Sequence, residues 1–215
     1  TGAAAPGIIA AFSAEEFLYH FMGAIASGHD GAFSWEDLAA RYQAELANGF
    51  GNLASRTTAM IERYFEGIIP PEGTITDGDR KIQEIVQDAA ANADAALDRL
   101  AIDEAVAAIW TVVDALNGYI TENEPWALAK DDAQRERLGT VLYTAAEGLR
   151  ALAVLMSPVI PKACETLWIA LGAAETLGRL RDQPIRDAGT WGQLKPGSSV
   201  NGLAPLFPRV ESTID

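Results

Sequence analysis

The chain has 215 residues, 49% of them hydrophobic, enough to bury a sizeable core in one large domain or a domain with an appendage. Lys and Arg total 16 against 30 Asp and Glu, a formal net charge of −14. That argues against bulk nucleic-acid binding over a broad basic face, DNA included, but leaves room for a small basic site. One cysteine, Cys164, excludes an intrachain disulfide and suits a reducing, cytoplasmic setting; with two histidines it leaves no Cys/His set for zinc.

The opening "TGAAAPGIIAAF" has no cationic leader and no initiating Met, so it reads as the middle of a longer protein rather than a signal peptide. Ser13 is placed to cap a short helix reaching about residue 27, and "GHDGAF" (28–33) reads as a turn. Ser34 is placed to cap a long helix to about residue 66, with an apolar stripe of Trp35, Leu38, Tyr42, Leu46, Leu53, Met60 and Tyr64. "GIIPPEGTITDGD" (67–79) stops it.

A helix from Asp79 or Arg80 to about Leu100 follows, then another over about 102–121. Pro125 interrupts, because it disfavours helical geometry at Glu124. A helix of roughly two dozen residues ends near "LMSPVIP" (155–161), and Pro161 suits the first turn of a last clear helix that Gly172 closes. From about 173 onward Gly, Ser and Pro mark an extended tail. No apolar run approaches the ~20 residues of a bilayer span, so no membrane partner is expected. The prediction is an all-α helical bundle over 34–185, preceded by a short helical element within 1–33 and followed by a tail over 186–215 that packs back on it.

Catalytic signatures are absent: no G-x-S-x-G, P-loop or dinucleotide-binding glycine pattern occurs. His20 sits in an apolar helix, His29 in a turn beside Asp30, and Cys164 on an apolar face, none with a partner set that would activate it. The chain by itself is predicted to be non-catalytic and to hold no metal. One pairing stands out on the long helix. Asn52 and Arg56 lie four residues apart, so an amide and a guanidinium project from one face.

Four segments resemble the C-terminal part of the methionyl-tRNA synthetase family. "ELANGFGNLASRTTAMIERYFEGIIP" (45–70) is similar to its anticodon-domain helix with an N-L-x-x-R core, and "LNGYITENEPWALAK" (116–130) to its N-x-Y-I…P-W segment. "LMSPVIPKACETLWIALG" (155–172) and "WGQLKPGSSVNGLAPLFPRV" (191–210) resemble the following helix pair and the closing tail. All four occur in the family's order. Other class I synthetases, for valine, isoleucine, leucine or cysteine, share the bundle, but the "GNLASR" and "EPWALAK" pair favours the methionine family.

The resemblance implies an anticodon-binding domain that recognises CAU of tRNA-Met. It assigns stacking on the first anticodon base to Trp126, and contacts with anticodon nucleotides to Asn52 and Arg56. Arg63, Asn117, Tyr119 and Pro125 are implied as possible RNA contacts or supports. Single-stranded RNA is read by splaying bases onto aromatics and bonding their edges, which a small site on an acidic body can do. Neither the H-I-G-H nor the K-M-S-K-S signature occurs. ATP and methionine would therefore bind a separate catalytic domain, a second expected partner.

The N-terminal stretch departs from the family: Leu18 and Gly23 stand where arginines are usual, and Ser27 where an aromatic is usual. That departure, with the −14 charge, supports an alternative: a helical interaction or scaffold domain derived from the same bundle that no longer binds RNA.

Overall fold

A computed structural model describes residues 14–24 and 35–208. The opening segment, the Ser13 and Ser34 caps, Ser27, the 28–33 turn with His29, and the tail beyond Pro208 lie outside the described residues.

Helix α1 (Ala14–Ala24) precedes a composite helix made of α2 (Trp35–Arg41), a π-helical segment (Tyr42–Gly51) and α3 (Asn52–Phe65). The expectation of uniform α-helix from 34 to 66 is thus corrected in its middle. At the end of the π segment the Asn52 N–H reaches back five residues to the Ala47 carbonyl. Leu38, Tyr42, Leu46 and Phe50 recur at intervals of four, and the wider turn keeps them together on the buried side. Gly51 allows close approach here: an added Cβ would stand 2.9 Å from the Leu46 carbonyl oxygen and 3.0 Å from Phe207 Cδ2.

Helix α4 (Asp77–Asp98) opens in a capping box, where the Thr76 N–H donates to Asp79 Oδ2 at 2.6 Å. Helix α5 (Ile102–Asn123) returns along α4, the most extensive helix–helix packing among the described residues. After the single turn α6 (Pro125–Leu128), helix α7 (Arg135–Met156) runs through the centre, with every residue from Leu138 to Met156 buried. The stretch Asp132–Met156 is long and apolar enough to cross a membrane, but its apolar window is wholly enclosed by the bundle. Apolarity all round is what a central helix requires.

Helices α8 (Pro161–Ala170) and α9 (Ala173–Leu177) are joined through Gly172, which takes φ +69°. Beyond two 3₁₀ turns the chain doubles back over the bundle. The Ile69 N–H donates to the Ser198 carbonyl at 2.9 Å, and the Asn201 N–H to that of Ala170 at 2.8 Å. Ile68 and Ser199 form an isolated antiparallel bridge, the one β pairing among the described residues.

A buried ion pair on α7 holds this tail. Glu147 accepts from the Gln193 and Leu194 N–H groups at 3.0 and 2.8 Å. Arg150, bonded to Glu147 at 2.9 Å, donates to the Ala188 and Thr190 carbonyls, both at 2.9 Å. Both charges are therefore saturated with hydrogen bonds, the condition under which burying them is tolerable. The described residues form the all-α bundle that the periodicity predicts.

Candidate functional site

Asn52 and Arg56 occupy the first two turns of α3, Asn52 exposed and Arg56 partly so. Trp126, distant in sequence, is 38% exposed, and the Arg56 Cζ lies 5.7 Å from its ring centroid. A guanidinium at that separation is attracted by the ring's negative face. The indole and the guanidinium therefore meet at the surface, with the Asn52 amide one helical turn away.

Local geometry explains why an indole is left there. Glu124 takes the left-handed conformation, φ 42°, ψ 59°, ending α5 and starting α6 at once. Buried Pro125 supplies the first residue of α6, where its missing N–H costs nothing. The Ala127 and Leu128 N–H groups then return to the Glu124 carbonyl at 2.7 and 3.2 Å. Trp126 is carried on that turn.

The turn is anchored from below by a charge network. Arg137, near the start of α7, grips the buried Asp79 carboxylate with two hydrogen bonds of 2.6 and 3.0 Å. Its Nη2 also donates to Asn123 Oδ1, on the last residue of α5, at 2.6 Å. Tyr119 donates its hydroxyl to Asp79 as well. Burial by itself pushes the Asp79 carboxyl up, but hydrogen bonds from Arg137, Thr76 and Tyr119 outweigh it and hold the pKa at about 2. Three helix ends are thus locked beneath the Trp126 turn.

The remaining candidates divide by burial. Tyr119 is buried and committed to Asp79, so it offers no surface to a ligand. Asn117 donates from Nδ2 to the Val113 carbonyl at 3.0 Å and the Gly49 carbonyl at 3.4 Å, tying α5 to the π segment just ahead of Asn52. Arg63, exposed two turns beyond Arg56, has its Cζ 5.6 Å from the Tyr64 ring centroid.

Sequence reasoning missed Asp79, Asn123 and Arg137, although "TDGD" (76–79) carries a capping-box spacing. It also missed a groove of about 660 Å³ beside Asn52, walled on one side by the tail. Nothing in the local pattern of "APLFP" indicates where that wall stands. Cys164 is fully buried, and burial pushes its thiol pKa well up, against nucleophilic use. Among the described residues, no three His, Cys, Asp or Glu side chains group to hold a metal ion.

Comparison with known proteins places this geometry in context. A family profile for the anticodon binding domain of methionyl tRNA ligase matches residues 69–213, and one for class I (M) tRNA synthetases matches residues 4–58. The methionine–tRNA ligase of Streptomyces coelicolor is 46% identical over 203 residues, covering 93% of this chain and 38% of that protein. That of Caldanaerobacter subterraneus is 36% identical over 200 residues, covering 93% of this chain and 30% of that protein. The chain thus spans little more than a third of these relatives at most. The crystal structure of apo Mycobacterium tuberculosis methionyl-tRNA synthetase superposes with a TM-score of 0.85 at 27% identity, over 98% of this chain and 42% of that one. Since the anticodon-domain profile alone accounts for most of the sequence, the chain belongs to the family of methionyl-tRNA ligase anticodon-binding domains.

Proposed function

We propose that this domain reads the CAU anticodon loop of tRNA-Met, with Trp126 as the stacking platform and Asn52 and Arg56 as the base-edge readers. The observation that carries this reading is the exposed indole of Trp126 beside the Arg56 guanidinium. An indole face stacks any unpaired base, so it supplies affinity without choice. Choice comes from groups with directional donors and acceptors: the Asn52 amide offers both, and the Arg56 fork offers donors only. Tyr119, Pro125 and Asn117 act as supports, and Arg63 contributes a phosphate contact. The domain works in the cytoplasm, linked to a catalytic domain that takes ATP and methionine.

Binding of an isolated anticodon stem-loop tests the reading. A CAU loop is compared with one altered at the first base, at two salt concentrations. Preference for CAU with a shallow salt slope supports it, because few phosphates are neutralised. Equal binding of both loops overturns it.

A further inference from the structure

The groove of about 660 Å³ beside Asn52 is unused by the Trp126 pairing. Resting on the anticodon reading above, we propose that it is a second base pocket, taking another unstacked base of the same loop. One wall is the helix face bearing Asn48, Asn52 and Ser55; the other is the tail segment from Ala204 to Pro208.

Three features select a base over other occupants. No lining residue is ionisable, so a phosphate would find no counter-charge on a protein of net charge −14. Two amides and a hydroxyl supply both donors and acceptors, matching the mixed edge of a nucleobase. The walls between them are apolar, from Ala47, Ala204, Pro205 and Leu206, and suit a flat ring. The size falls within the ~300–1,000 Å³ common for small-ligand clefts.

Position argues in the same direction. Asn52 lines the groove and stands one turn before Arg56, which meets Trp126. At 1.5 Å per residue the two side chains are rooted about 6 Å apart, within reach of neighbouring nucleotides once they unstack. The tail wall is also built rather than draped. Phe207 is buried against Tyr42 and Phe50, with ring centroids 6.1 and 6.3 Å away, and the Tyr42 hydroxyl donates to the Pro208 carbonyl at 2.7 Å. Gly51 lets that ring approach the helix backbone and so sets the floor.

The test crosses groove-filling variants with stem-loops lacking one base at a time. Ser55→Leu fills the groove from the helix and Ala204→Leu from the tail, so a folding defect in one leaves the other informative. Each is expected to weaken the intact CAU loop about tenfold, as loss of a stacked base does. Removing one particular anticodon base other than the first should cost the unaltered protein a similar factor. On that abasic loop the two variants should cost nothing more. Trp126→Ala should behave in the same way towards the first base alone.

If only removal of the first base matters, or if the groove variants weaken every loop equally, the second pocket is overturned while the Trp126 reading stands. If Trp126→Ala and removal of the first base both leave binding unchanged, the reading beneath it falls too.

Discussion

The Arg56 guanidinium carbon stands 5.7 Å from the ring centroid of Trp126, although the two residues come from different helices. That contact steadies a half-exposed indole that would otherwise sample several rotamers, and it leaves a stacking face for an unpaired base. Trp126→Ala is expected to weaken CAU stem-loop binding by about 1–3 kcal/mol, with every first-base variant weakened alike. Arg56→Lys keeps the charge but loses the planar fork, so discrimination should fall more than affinity. Titrations with first-base variants check both. An Arg56→Lys protein with unchanged discrimination would remove Arg56 from the reading of bases.

The Asp79–Arg137 pair predicts a pH response. Free Asp titrates near ~3.9, and in the folded chain Asp79 is held at about 2. The folded pKa is depressed, so the stabilisation is fully present above about pH 4 and is lost as pH falls through about 2. Asp79→Asn should flatten the acid limb of the stability profile in this window. At neutral pH it should cost about 3 kcal/mol, the low end for breaking a buried pair, because Arg137 keeps 21% of its side chain exposed. Urea unfolding between pH 2 and 7 measures both effects. If the acid limb is unchanged, the ionised Asp79 is not what ties the three helix ends together.

How much of this was legible beforehand follows from the range of the interactions involved. Helix periodicity and the punctuation at Pro125, Pro161 and Gly172 are local, and local signals place the described α-helices within a few residues. The interval of four through Leu38, Tyr42, Leu46 and Phe50 was also visible, yet it was taken for ordinary α-helix with Phe50 left out of the stripe. An interval held at four suits a wider turn than 3.6 residues, and the π segment follows it. The Asp79–Arg137 bond and the wall beside Asn52 join segments distant along the chain. No periodicity carries that information. Asn52, Arg56 and Trp126 emerged only because motifs from distant stretches were considered together.

The tail is held by Glu147 and Arg150, and the two partners should respond unequally to substitution. Glu147→Ala leaves a guanidinium buried without its carboxylate and strips the Gln193 and Leu194 N–H groups of their acceptor. The expected loss is about 3–5 kcal/mol, the scale for an uncompensated buried charge. Glu147→Gln keeps a side-chain oxygen and should cost less. Hydrogen exchange should show the amides of 193 and 194 losing protection before those of α7. Simultaneous loss along α7 and the tail would mean that the pair secures the whole bundle rather than the tail.

Gly51 tests whether the tail and the reading helix are mechanically joined. Alanine is favoured over glycine inside a helix by about 1 kcal/mol, so propensity alone predicts that Gly51→Ala stabilises. The local space predicts the opposite: the new Cβ would meet the Leu46 carbonyl oxygen at 2.9 Å and Phe207 at 3.0 Å, and the backbone oxygen cannot rotate away. Overpacking of this kind costs about 1–3 kcal/mol, so net destabilisation and faster exchange of tail amides are expected. Gly118→Ala is the control, because nothing lies within 4 Å of its added Cβ, and it should stabilise by about 0.5–1 kcal/mol. Thermal unfolding of the two variants beside the unaltered chain measures the difference. Equal stabilisation by both would mean that Phe207 yields freely, and that the tail wall beside Asn52 is not set by its approach to the helix.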